Sequence, residues 1–99
     1  MHARASTITG APGQADEERR LFESELLPQL EQVDGFKGVL ALADNSSGKS
    51  LVVTIWESEQ AMQASEERAN QMRSDAAARF GATSPPQVDR YEVVFHKAP

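Results

Sequence analysis

The sequence predicts an α+β fold of order βαββαβ, with one four-stranded antiparallel sheet carrying two helices on one face. Three observations predict it. Two strand-like stretches, Phe36–Ala43 and Leu51–Glu57, are separated only by the turn-forming segment DNSSGK at 44–49, which makes them adjacent antiparallel strands. Stretches with apolar residues at three- and four-residue steps lie on either side of that hairpin and read as amphipathic helices. A further strand-like stretch lies towards each end of the chain. With right-handed crossovers this order gives the split βαβ arrangement called ferredoxin-like.

The first strand is ARASTIT at 3–9, a weak alternation ended by Gly10, Pro12 and Gly13. Glu17 and Glu18 suit the first turn of the helix that follows. Phe22, Leu26, Leu30 and Val33 fall on one face of that helix, and Gly35 fits its end. Pro28 lies inside it, where its ring would collide with the Ser24 carbonyl, so a kink is expected there. After the hairpin, Ser58 is a natural N-cap with Glu59 behind it. Met62, Ser65, Ala69, Met72, Ala76 and Phe80 then form a core-facing stripe on a second helix ending at Gly81. The segment ATSPP at 82–86 cannot continue the helix, and VDRYEVVFHK at 88–97 is the fourth strand.

Ninety-nine residues make one domain, residues 1–99, small enough that an oligomer covering more apolar surface would help it. Strands two and three are apolar on both faces. The helices cover one face, and the other would be an exposed apolar patch suited to a second copy of the chain packed sheet on sheet. The formal net charge of −5 argues against a nucleic-acid partner or an anionic membrane surface. No cysteine is present, which excludes disulfides and thiolate chemistry and fits a reducing compartment. The N-terminal MHARASTITG has no apolar core of signal-peptide length, so the expected location is cytoplasmic. No His/Asp/Glu group has metal-ligand spacing, so no metal site is expected.

The run GFKGV opening the second strand, the run VVTIWES leading into an Ala-rich helix, and the closing strand VDRYEVV together resemble the antibiotic biosynthesis monooxygenase family of dimeric α/β barrels. The resemblance spans about residues 4–96. It implies a homodimer joined through the sheet face, with a pocket in each subunit between sheet and helices. It also implies cofactor-independent oxygenation of an aromatic or enol-type small molecule. The alternative is a non-catalytic ligand-binding or assembly module of the same fold, since fold alone does not fix function. The family's strand-end Trp corresponds to Trp56. Haem-degrading members add an Asn on the first strand and a His on the helix after the Trp. Here the first strand has no Asn and residues 58–80 contain no His, Glu66 being the nearest suitably placed side chain, so no cofactor is expected. Quinone-forming members use an Asn shortly before the Trp, where this chain has Val52 and Val53, and an Arg on the helix, where Arg73 and Arg79 match only loosely.

Four residues are pocket candidates. Trp56 offers a stacking surface and an indole N–H, against the simpler reading of core packing. Arg73 flanks the second helix's apolar stripe and could reach an anionic group, or simply pair with Glu66 or Asp75. Tyr91 shares a strand face with Val93 and Phe95 and could orient a carbonyl, or sit at the rim of the core. His96, with Glu92 and Val94 on its face, is a candidate general base by its ordinary pKa, or a solvated side chain near the chain's end. No residue can be assigned a catalytic role from the sequence alone.

Overall fold

The computed structural model describes residues 1–82 and 84–97. Strands β1 (His2–Thr9), β2 (Phe36–Asp44), β3 (Lys49–Trp56) and β4 (Gln87–Glu92) form one antiparallel sheet in the order β2-β3-β1-β4. This is the ferredoxin-like order, with the two ends of the chain contributing the neighbours β1 and β4. Helical segments α1 (Ala15–Leu21) and α2 (Leu27–Glu31) connect β1 to β2, and α3 (Glu59–Ala64) and α4 (Glu66–Arg79) connect β3 to β4. Thr83, within the expected 82–86 loop, lies outside the described residues.

The strand registers sort the sheet into two faces. Arg4 sits opposite Thr54 and Arg90, and Val39 opposite Thr54, so Arg4, Ser6, Ile8, Val52, Thr54, Trp56, Val39 and Arg90 share the helix side. A bulge at Lys37, where Phe36 pairs with Trp56 but Gly38 pairs with Ile55, brings Phe36 to that side as well. The core lies there: Leu30, Trp56 and Met62 are buried together, with Phe22, Val33, Phe36, Val39 and Met72 packed around them. On the other face Leu40 and Val53 are directly paired. Nothing among the described residues covers this face, and Leu40, Leu42 and Tyr91 are 56%, 48% and 57% exposed.

The first helix is irregular just before Pro28, where a kink was expected, and the second departs from the expected continuous form. Between α1 and α2 the chain makes a π-helical turn, Phe22–Leu26, in which the Leu27 N–H reaches back to the Phe22 carbonyl. Pro28 follows in the first turn of α2, where its missing N–H costs little. The irregularity therefore precedes the proline, and the wider turn absorbs what a straight helix would meet as a clash. The second helix, expected as one piece over 58–80, is divided at Ser65. The Met62 carbonyl accepts from Arg4 Nη2 at 2.6 Å and from Ser65 Oγ at 2.7 Å. That carbonyl also accepts from the Ser65 N–H at 3.2 Å, so side chains and a tighter backbone bond take the place of the Glu66 N–H that an unbroken helix would put there. The expected N-cap at Ser58 is present, its hydroxyl accepting from Ala61 N at 3.1 Å.

The fourth strand is shorter than expected, ending at Glu92 rather than Lys97. Its partner β1 begins at His2, which pairs with Glu92. One more backbone bond joins the Val93 N–H to the Met1 carbonyl at 2.9 Å. Beyond it Val94 and Phe95 are 88% and 83% exposed.

Candidate functional site

A cavity of about 360 Å³ opens between the sheet and the two helical layers. A smaller space of about 70 Å³ adjoins it, and Ile8, Phe22, Leu26, Val52 and Ala76 line both. Phe22 and Leu26 are the first and last residues of the π-helical turn, which directs both at the sheet. The larger part is apolar, with Val39, Ala41 and Phe80 in its walls. At its mouth Ser50 donates its hydroxyl proton to the Glu18 carboxylate at 2.6–2.7 Å. The smaller part is also lined mainly by apolar surface, with Arg4, Ser6, Thr54 and Arg73 contributing its few polar groups. A few polar groups at the end of an apolar cleft is the usual composition of a small-molecule site.

The polar end is built around Glu66. Arg90 binds its carboxylate through two parallel contacts of 2.8 Å. Arg4 adds Nε to Oε1 at 3.1 Å, and Arg73 Nη2 lies 3.8 Å from Oε2. Arg4 is fully enclosed: Nη2 donates to the Met62 carbonyl and to Ser65 Oγ at 2.8 Å, and its guanidinium lies over the Trp56 ring at 5.5 Å. Arg4 and Arg90 face each other across β1 and β4, a like-charge pair that Glu66 bridges. The hydrogen bonds from Arg90, with the charges of Arg4 and Arg90, hold the Glu66 carboxyl down to about 2 against the opposing effect of burial. Glu66 is therefore an ionised anchor, not an acid or base for chemistry near neutral pH. Burial pushes the Arg4 and Arg73 guanidinium pKa values down, and Glu66 partly offsets this. Both side chains stay cationic, because arginine starts so high.

The four residues singled out from the sequence are dispersed. Arg73 lines the polar end of the cavity. Trp56 is wholly buried behind that end, donating its indole N–H to Thr54 Oγ1 at 2.9 Å and meeting Phe36 edge-on at 5.7 Å. It reaches the cavity through Arg4 and Thr54, not with its own ring. Tyr91 lies on the open face opposite Ala3, and His96 is exposed beyond the end of β4. Neither reaches the cavity within one chain. Arg4 was not singled out, although one signal was present. In ARAS, arginine alternates with alanine, so β1 sets Arg4 on the face opposite Ala3 and Ala5, and the strand registers make that the helix side.

Residues 1–81 match the family model described as antibiotic biosynthesis monooxygenase. Two uncharacterized proteins of Mycobacterium tuberculosis are 31% and 32% identical over 93 residues, or 94% of this chain. The chain spans only 39–41% of the length of those relatives. Among solved structures, a monooxygenase from the gene ActVA-Orf6 of Streptomyces coelicolor, in complex with nanaomycin D, superposes with a TM-score of 0.75. It is 18% identical, over 99% of this chain and 91% of that one, a likeness of fold. The heme-degrader MhuD of Mycobacterium tuberculosis, with two hemes in its active site, gives a TM-score of 0.73 at 25% identity, over 99% and 100% of the two chains. No helix among the described residues is long and apolar enough to cross a membrane.

Proposed function

Since the chain belongs to the antibiotic biosynthesis monooxygenase family, we propose that its sheet–helix cavity takes a flat, mostly apolar small molecule and oxygenates it without a cofactor. The carrying observation is the composition of the cavity: an apolar body of about 360 Å³ continuous with an end held by Arg4 and Arg73. In the reaction a methylene activated by aromatic or enol conjugation gives up a proton to solvent water, its carbanion adds dioxygen, and the resulting peroxide anion takes a proton back from solvent. One oxygen atom stays as a carbonyl and the other leaves as water. The cavity contributes desolvation and orientation, and the guanidinium groups stabilise the developing oxyanion. Trp56 is a positioning residue that holds Arg4 from behind. The surroundings do not suit haem iron: α3 and α4 carry no histidine, and the Glu66 oxygens are engaged by Arg4 and Arg90.

The reading extends to assembly and place. Two copies would meet through the open sheet face, burying Leu40, Leu42 and Val53, and Tyr91 and the exposed segment after β4 would meet the partner. The protein would work in the cytoplasm. Oxygen uptake by the purified protein with anthrone, which carries such a methylene, is the test. Uptake above the spontaneous rate, lowered in Arg73→Gln, is expected. An unchanged spontaneous rate would contradict catalysis. A second reading, a non-catalytic binding module, is favoured by the sealing of Trp56 away from the cavity. Binding without oxygen uptake would support it.

A further inference from the structure

The charges at the polar end of the cavity do not balance. Three guanidinium groups, those of Arg4, Arg73 and Arg90, surround one carboxylate, that of Glu66. Arg90 and Arg4 use its oxygens at hydrogen-bond distance. Arg73 does not: at 3.8 Å it is a neighbour of Glu66 without a hydrogen bond, and among the described residues its side chain donates none. Its side chain is nonetheless only 11% exposed. Among the described residues none of its nitrogens is both buried and unpartnered, so its N–H groups remain open to the cavity or to solvent. Arg4 keeps a further set of donors as well, since its partners engage Nε and Nη2 and leave Nη1 without one among the described residues. Both arginines line the same narrow end, beside the hydroxyl-bearing Ser6 and Thr54.

We infer that this end of the cavity is a carboxylate site, and that the ligand is a small aromatic acid whose ring fills the apolar part. The inference rests on the cavity reading above and specifies the ligand's head group. A carboxylate matches the planar donors of guanidinium in a way that a neutral carbonyl does not. It would also neutralise one of the two excess charges. The ring would lie among Ile8, Phe22, Leu26 and Val52, the residues shared by the polar and apolar parts. Glu66 has a positioning role, pinning Arg4 and Arg90 so that Arg73 remains for the ligand.

The test compares 2-naphthoate with its neutral isostere 2-naphthamide by calorimetric titration of the intact protein, with amide chemical shifts to locate binding. The acid should bind roughly tenfold or more tightly than the amide, the scale of one retained charge-assisted hydrogen bond. Shifts should fall on Ser6, Phe22 and Ala76. In Arg73→Gln the preference of acid over amide should vanish, and Arg73→Lys should recover part of it. Arg73 is chosen because Arg4 variants risk misfolding. Equal binding of acid and amide at the cavity would overturn the carboxylate site and leave the cavity reading intact. Binding of neither, or shifts confined to the open sheet face, would overturn both.

Discussion

Arg4 and Glu66 illustrate how a buried charge is tolerated at the cost of a commitment. Arg4 surrenders its hydration, and in return takes the Met62 carbonyl, the Ser65 hydroxyl, the Glu66 carboxylate and the face of Trp56. Removing its counter-charge leaves it uncompensated. Glu66→Gln should therefore destabilise the protein by about 2 kcal/mol near neutral pH, below the value for a fully buried pair because Glu66 is partly exposed. Urea denaturation measures it. The same pairing sets an acid limit. The folded Glu66 carboxyl sits at about 2, below its ordinary 4.5, so its stabilisation is complete above the ordinary value and is lost as pH falls towards the folded one. Wild type should lose stability over that window more steeply than Glu66→Gln, and parallel curves would contradict the assignment. At this scale the sequence was only partly legible. Arg73 stood out because it flanks an apolar stripe. Arg4 and Glu66 are 62 residues apart, and local periodicity carries no information about such a pairing.

The elements followed their sequence signals wherever the signal was local. The hairpin at 44–49, the Ser58 cap and the strand alternations depend on near neighbours, and they are where the residues place them. The π-helical turn before Pro28 is local too, whereas two other departures come from tertiary partners. The division at Ser65 requires Arg4 from another element, and the early end of β4 requires knowing where β1 begins. Ser65→Ala removes a hydroxyl that accepts from Arg4 and donates to the Met62 carbonyl. It should cost about 1–2 kcal/mol despite alanine's higher helix propensity, read as a lowered thermal midpoint. A stabilised variant would mean that the break is a property of the local sequence and not of Arg4.

At the scale of the molecule, the sheet has one face used and one face waiting. The apolar character of both faces of β2 and β3 was legible, and the register decides which residues lie outside: Leu40 and Val53 are cross-strand neighbours on the open side. Charge placed there should oppose assembly. Leu40→Lys is expected to give monomer by light scattering where the parent gives dimer, and a soluble dimer unchanged by the substitution would sink sheet-to-sheet packing. The cavity on the other face was expected from the family resemblance, but its two-arginine end was not, because it depends on a side chain from β1 meeting one from α4. The most direct measurement is a crystal structure of the protein grown with 2-naphthoate. The expected result is ring density between Phe22 and Val52 with the head group at Arg4 and Arg73. A cavity closed by its own side chains, with the acid absent or bound elsewhere, would contradict the central claim that the space between sheet and helices is a binding site.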